Sequence, residues 1–267
     1  MNDIVKQLEL EPSYRLSRII TVFVVLLFFG WSISAIQLDE VESNGWTVAK
    51  NILLGLVQPD TELLFNVTNG VPYLLLETIA IAFLGTIVGA ILAIPLAFLS
   101  ASNIVPKPIA WLVRLLLIFI RTIPAIVYGL MFIRVTGPGA FAGVLTMALT
   151  SIGMLSKLYV DVIEDLDTSI LETMESIGSN VMEKIRFCIM PQLSALFLSI
   201  VIYRFDMNLR DAAVLGLVGA GGIGAPLIFA MNSYRWSEVG SILIGLVILI
   251  LVVEYFSNKI RTKLVRG

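Results

Sequence analysis

The chain has 267 residues, 58% of them hydrophobic and 14% charged, and its mean hydropathy of +0.94 is far above what a soluble domain of this size needs for its core. A net charge of −2 supplies no basic field that would hold nucleic acid. One cysteine, Cys188, excludes an internal disulfide, and with histidine absent the usual nitrogen and sulfur ligands of zinc are missing, so the composition describes a membrane protein poorly equipped for metal or thiol chemistry.

A helix that crosses a bilayer takes about 20 mostly apolar residues. Residues 1–18 form an N-terminal tail, and the first span follows at Ile19–Ile36. Ser32 and Ser34 offer a small-x-small cleavage pattern, but the apolar run exceeds the roughly 7–15 residues of a signal core, which favours an uncleaved anchor. Residues 37–72 form a loop in which Trp46, Ala49, Ile52, Leu53 and Leu56 recur near helical spacing; Trp46–Val57 is too short to cross and predicts a helix lying at the interface. Asn66-Val67-Thr68 spells a glycosylation sequon, a triplet common by chance.

The second span is Tyr73–Leu99, where Gly85 and Gly89 make a small-xxx-small packing face. The third, Ile109–Val135, carries Arg114, Arg121 and Pro124 inside it, and the fourth is Phe141–Tyr159. A polar segment at 160–191 separates it from the fifth, Leu193–Asn208. Ala212–Met231 is apolar but glycine-rich and predicts a re-entrant or broken element, and Val239–Phe256 is the last span. The core thus occupies residues 73–258, followed by a basic tail at 259–267. The expected fold class is an all-α polytopic membrane protein, a six-span helical bundle.

Lys and Arg orient such a bundle. Lys6, Arg15 and Arg18 precede the first span, Lys107 follows the second, Lys157, Lys184 and Arg186 flank the polar segment, and Lys259, Arg261, Lys263 and Arg266 close the chain. Six spans with both termini cytoplasmic place all of them on one side. The opposite loop holds Asp39, Glu40, Glu42, Asp60 and Glu62 against Lys50.

Within the polar segment, Ile163, Leu166, Ile170, Met174, Ile177, Val181 and Ile185 recur at three- and four-residue steps and draw one apolar stripe, which predicts a partner surface. Ser169 and Glu172 have the spacing of a capping box, Gly178 is suited to end the helix they start, and Asn180 with Glu183 opens a second. The expected shape is a knob of two short helices around a glycine turn, with Pro191 starting the next span. Taken singly, Glu172, Gly178 and Pro191 are a cap, a stop and a starter.

Together, at this spacing before the penultimate span, Glu172, Gly178 and Pro191 resemble the coupling loop of ABC-importer membrane subunits. Thr173, Met174, Cys188 and Met190 depart from that pattern, standing where the family has alanines, isoleucine and leucine. Arg121-Thr-Ile-Pro124-Ala-Ile-Val-Tyr128, Gly137-Pro-Gly-Ala-Phe-Ala-Gly143, Arg204-Phe-Asp206-Met-Asn208-Leu-Arg210 and Val214 to Gly224 are similar to the phosphonate ABC-transporter permease family of the PhnE type, over about Tyr73 to Arg261. The resemblance implies the type I importer (MetI-like) transmembrane fold in the cell membrane. It also implies a second copy of the chain, two cytoplasmic ATPases, and an extracytoplasmic binding protein for phosphonate, phosphite or phosphate. Ser169, Glu172, Glu175, Gly178, Ser179, Glu183 and Pro191 are then the ATPase-coupling residues. Arg121, Pro124, Arg204, Asp206, Asn208, Arg210, Gly219, Gly221, Gly222 and Gly224 are candidates for the translocation path or gate.

Gly219, Gly221 and Gly224 also spell the dinucleotide-binding pattern, but that chemistry needs a soluble strand–turn–helix unit. In a bundle the same glycines serve close backbone packing and a bend. Arg121, Arg204, Asp206, Arg210 and Asp211 sit in or beside spans, where an ionisable group costs several kcal/mol unless paired or hydrated. They form either intramembrane pairs, Arg204 or Arg210 with Asp206 or Asp211, or a cationic relay for a phosphonate anion. The chain lacks a Walker lysine motif, so no cofactor is expected in it, and ATP and Mg belong to the partner ATPase. A permease for methionine or another oxyanion is the nearest alternative. A membrane-embedded enzyme is the distant one, because no predicted span pairs two carboxylates at helical spacing.

Overall fold

In hydrocarbon, every backbone polar group needs a partner within the protein, which leaves a chain of this composition little choice but helix. The computed structural model describes residues 14–35 and 45–266, and among these it contains helices α1 (Arg15–Ala35), α2 (Gly45–Val57), α3 (Thr61–Phe65), α4 (Val71–Ser100), α5 (Lys107–Thr122), α6 (Ala125–Thr136), α7 (Ala140–Glu164), α8 (Thr168–Ser176), α9 (Val181–Gly216), α10 (Gly224–Asn232) and α11 (Trp236–Arg266). Lys6, Asp39, Glu40 and Glu42 lie outside the described residues, as do the side chains of Arg15 and Arg266. α1 belongs to a separate unit, residues 1–49; it is apolar on every side and exposed along its described length, as suits a lipid-facing helix.

In the second unit, α4, α7, α9 and α11 are each long and apolar enough to cross a membrane. The expected third span departs from this: it is two helices, α5 and α6, bent by 84°. The cause is Pro124. Its ring pushes Ile123 into extended backbone (φ −86°, ψ 124°), and it has no N–H to give the Ile120 carbonyl. The Tyr128 hydroxyl donates to that carbonyl instead, at 3.1 Å, so the break leaves no orphan there.

The core runs along α4, α7 and α9. At one end Ala93, Ala97, Leu155, Tyr159, Ile163, Ile189 and Phe197 are buried together; further along, Ile81, Ala82, Met147, Leu209 and Leu215 continue it. Small residues bring α4 and α7 to backbone distance. A Cβ at Gly89 would stand 2.5 Å from the Ser151 Cβ and 2.9 Å from the Ala148 carbonyl oxygen, and Gly85 opposes Met147 in the same way, as the small-xxx-small face predicts.

The helix expected at the interface, α2, has a tertiary contact as well. Gly55 and Gly240 let it meet the start of α11 backbone to backbone, a Cβ at Gly55 falling 2.7 Å from the Trp236 carbonyl carbon. Asp60 caps α3, accepting from the Leu63 amide at 3.1 Å, and its carbonyl accepts from the Ser241 hydroxyl at 2.8 Å. The sequon asparagine is used locally: Asn66 Oδ1 accepts from the amides of Thr68 and Asn69 and from the Thr68 hydroxyl.

Gly89→Val forces α4 and α7 apart, because the obstructing atoms include backbone. Overpacking of this kind costs about 1–3 kcal/mol or more, and the variant is expected to unfold at lower temperature in detergent; an unchanged midpoint refutes the close-packed seam.

Candidate functional site

The candidate residues fall into four places. The first is the knob between α7 and α9. α8 is started by Asp167, not by the expected Ser169–Glu172 box: the Asp167 side chain accepts from the Ser169 amide at 2.9 Å, which leaves Ser169 inside the helix and Glu172 exposed. Asp167 has the extended backbone that a cap requires, whereas Ser169 is already helical. The Ser169 amide, and then its hydroxyl, hold the Asp167 carboxyl below the usual carboxylate range. Gly178 ends the helix as expected, at φ +78°, with its own amide on the Glu175 carbonyl at 2.9 Å and the Ser179 amide on the Met174 carbonyl at 3.1 Å, the two bonds of a Schellman turn. Asn180 and Glu183 form a complete capping box, and Lys184 reaches back to Glu175 at 3.4 Å.

The second knob helix is continuous with the fifth span. It passes through a π-turn at Lys184–Ile189 into α9, a single 36-residue element. Pro191 therefore sits within a helix instead of starting one. The wider π register just before it suits a residue with no N–H to return to the preceding turn. The apolar stripe also divides: Ile163, Leu166, Ile170, Met174 and Ile185 pack onto the core, while Ile177, Val181, Met182 and Phe187 stay exposed at the tip.

The second place is a polar node inside the bundle. Arg204, only 4% exposed, turns toward α7: its Nε donates to Ser151 Oγ and its terminal nitrogens approach Thr150 Oγ1 and Met154 Sδ, each at 3.1 Å. Asn208, fully buried, donates to Ser151 Oγ at 2.7 Å and to Thr86 Oγ1 at 2.8 Å, which joins α4, α7 and α9. Asp211 lies 4.0 Å from Arg204. On the other side of α9, Arg210 pairs with Asp206 and with Glu254 of α11, both at 3.1 Å. Of the two arrangements open from sequence, the pairs are present, Arg204 with Asp211 and Arg210 with Asp206, and the three arginines make no row: Arg204 faces α7, Arg210 faces α11, and Arg121 lies elsewhere. Thr86, Ser151 and Glu254 were not singled out from sequence. Small hydroxyl residues beside the glycines of the packing face were the available signal.

The third place is the glycine loop. Gly219, Gly221 and Gly222 all have positive φ. The Gly219 carbonyl accepts from Gly139 at 2.9 Å, the Ile223 amide donates to Thr78 Oγ1 at 2.9 Å, and Gly224 leaves room for Gly216. A Cβ on Gly221 would stand 2.6 Å from the Ala140 amide nitrogen, and one on Gly222 would stand 2.7 Å from the Thr78 hydroxyl. The element predicted as broken is thus a backbone joint between α9 and α10, closed on the α6–α7 turn.

The fourth place is a cleft between α5 and α7, of about 310 Å³, which contains Arg121. Pro124 lies at the α5–α6 break, three residues after Arg121.

Among the described residues no cluster of three or more Cys, Asp or Glu has the arrangement of a metal site.

The sequence profile described as binding-protein-dependent transport system inner membrane component matches residues 93–266. The phosphite transport system permease protein PtxC of Stutzerimonas stutzeri is 32% identical over 188 residues, covering 70% of this chain and 68% of that protein. The phosphate-import permease protein PhnE of Mycolicibacterium smegmatis is 37% identical over 189 residues, 70% of this chain but 36% of the longer relative. A solved chain from the MetNI methionine ABC transporter, in an inward-facing conformation, superposes with a TM-score of 0.62 at 20% identity, over 71% of this chain and 94% of that one, and shares the fold.

Ser151→Ala removes the acceptor used by both Arg204 and Asn208 and is expected to cost about 1–3 kcal/mol; a thermal midpoint in detergent equal to that of the parent contradicts the node. At the knob, the Asp167 cap has a depressed folded-state pKa, so its contribution is complete above the ordinary aspartate range and is lost as pH falls through the depressed value. Hydrogen exchange at the Ser169 amide, corrected for intrinsic rate, is expected to lose protection on acidification, and Asp167→Asn is expected to flatten that response.

Proposed function

This chain belongs to the inner membrane components of binding-protein-dependent transport systems, a family of transporter permease subunits and not of enzymes, and on that premise we propose that it is the permease of an ATP-driven importer for phosphonate or a related phosphorus oxyanion, phosphite or phosphate. The relatives named for phosphite and phosphate support the substrate class. The observation that carries the mechanism is the knob, a glycine-ended helix–turn whose tip leaves Ile177, Met182 and Phe187 more than half exposed although the stripe behind them is packed inward. An apolar tip on a rigid mount is suited to a groove on another protein.

In the proposed assembly the knob and both termini face the cytoplasm of the cell that bears the membrane. Two copies of the chain dock on two ATPases, which hold ATP and Mg, while an extracytoplasmic binding protein delivers substrate. Lys107, Lys157, Lys184 and Arg186 support this orientation, because they gather at the knob end, where Asn103 and Ser102 after α4 hydrogen-bond the end of α7. Nucleotide binding closes the ATPases, the Ser169–Phe187 knob carries that motion into α7 and α9, and the path opens alternately to either side. Glu172, Glu175, Ser179, Glu183 and Pro191 shape or flank the coupling surface. The polar node, with the glycine joint Gly219–Gly224, hinges the path.

Gentle solubilisation from the native membrane is expected to bring an ATPase at one copy per permease. Gly178→Val strains a left-handed position, a cost of about 1–2 kcal/mol or more for a branched residue, and with Glu172→Lys it is expected to abolish uptake of phosphonate while the chain stays membrane-inserted. Full uptake in both variants would sink the coupling role, and a chain that always purifies alone would sink the importer.

A further inference from the structure

On α5, Lys107, Arg114 and Arg121 recur at seven-residue steps, which strings them along one side of the helix. α7 opposes them with Lys157, Asp161 and Glu164. The charges do not cancel. Arg114 is committed: it pairs with Glu164 and donates to the Ser100 carbonyl at 2.8 Å, while Glu164 also accepts from the Ser102 amide at 2.8 Å. Lys157 pairs with Asp161 one turn along the same helix. Arg121 forms no ion pair among the described residues, although it sits at the far end of α5 from Lys107, inside the predicted third span, where an uncompensated guanidinium is costly.

The surroundings of Arg121 leave room for a counter-anion. Gly153 on α7 gives way to its stem: a Cβ there would stand 2.7 Å from the Arg121 Cγ. Arg121 and Lys157 line the same cleft of about 310 Å³, which reaches to Ser100 and Glu164 at the knob end of the bundle. A guanidinium offers paired N–H donors to two oxygens of one tetrahedral anion, and an ammonium adds a point charge beside it.

We propose that this cleft is an anion-binding site that holds a tetrahedral phosphorus oxyanion between Arg121 and Lys157, open toward the knob end. The choice of phosphorus over other oxyanions rests on the importer reading. Two sources carry the same chemistry, the free anion and the phosphate of an anionic lipid headgroup.

The test uses the full-length permease, delipidated and reconstituted in nanodiscs of phosphatidylcholine, with inorganic phosphate as the probe and binding read by isothermal titration. Saturable binding is expected, weakened about tenfold or more by Arg121→Gln and by Lys157→Gln, and weakened less by Arg121→Lys, which keeps the charge without the paired donors, with elution volume and helical circular dichroism unchanged in all three. In a second arm, native mass spectrometry of protein taken directly from its membrane asks whether one phosphatidylglycerol stays on the parent and is lost from Arg121→Gln; that result assigns the same site to a lipid headgroup. Absence of both phosphate binding and retained lipid overturns the proposal, as does phosphate binding that both glutamine variants leave intact. Uptake is read separately: phosphate binding in the cleft without phosphonate uptake by the assembled transporter overturns the importer reading alone, and uptake without cleft binding overturns this one alone.

Discussion

At membrane depth a freed backbone carbonyl or a buried charge has no water to turn to, and most of what is particular to this bundle answers that constraint. Pro124 breaks the third crossing, and Tyr128, one turn further on, supplies the missing donor to Ile120. Pro191 is met by a π-turn instead of a break. Arg204 and Asn208 can be buried because Thr86, Thr150 and Ser151, from two other helices, accept their hydrogen bonds. The first two solutions are local, whereas the node at Arg204 and Asn208 ties together helices distant in sequence, so its polar groups act as joints as well as liabilities.

The second kind of joint is made by absence of side chain. Gly85 and Gly89 seat α4 on α7, Gly55 and Gly240 seat α2 on α11, and the positive-φ glycines after α9 seat the loop on Gly139 and Thr78. At such contacts backbone meets backbone, where dispersion is dense and no rotamer can yield. The α4–α7–α9 spine is held from both sides, by glycine seams and by the node at Ser151. What the spine leaves free is at its edges: the apolar tip of the knob, and Arg121 in its cleft.

In the proposed importer the membrane subunit moves as a few rigid pieces, and a motion delivered at Gly178 reaches α7 and α9 through short, capped turns that have little slack. The charged residues of the spans divide by the same logic. Arg204, Asp206 and Arg210 are paired within or between helices and help to hold the bundle, whereas Arg121 forms no ion pair among the described residues.

Hydropathy and local chemistry were enough to read the membrane class, the positions of the long helices, the broken glycine element, the Gly178 stop and the Asn180–Glu183 box, because each of these depends on residues within a turn or two of one another. The same local reading misplaced the start of α8, since Ser169–Glu172 and Asp167 compete for one set of amides and the backbone at 167 decides between them. It also ran the third span straight through Pro124 and left the stripe wholly exposed. Only the tertiary structure chose which arginine meets which carboxylate, turned most of the stripe inward and set Arg121 in the α5–α7 cleft. Those outcomes depend on partners such as Thr86 with Asn208, or Ser102 with Glu164, that lie far apart along the chain and meet only when the helices pack.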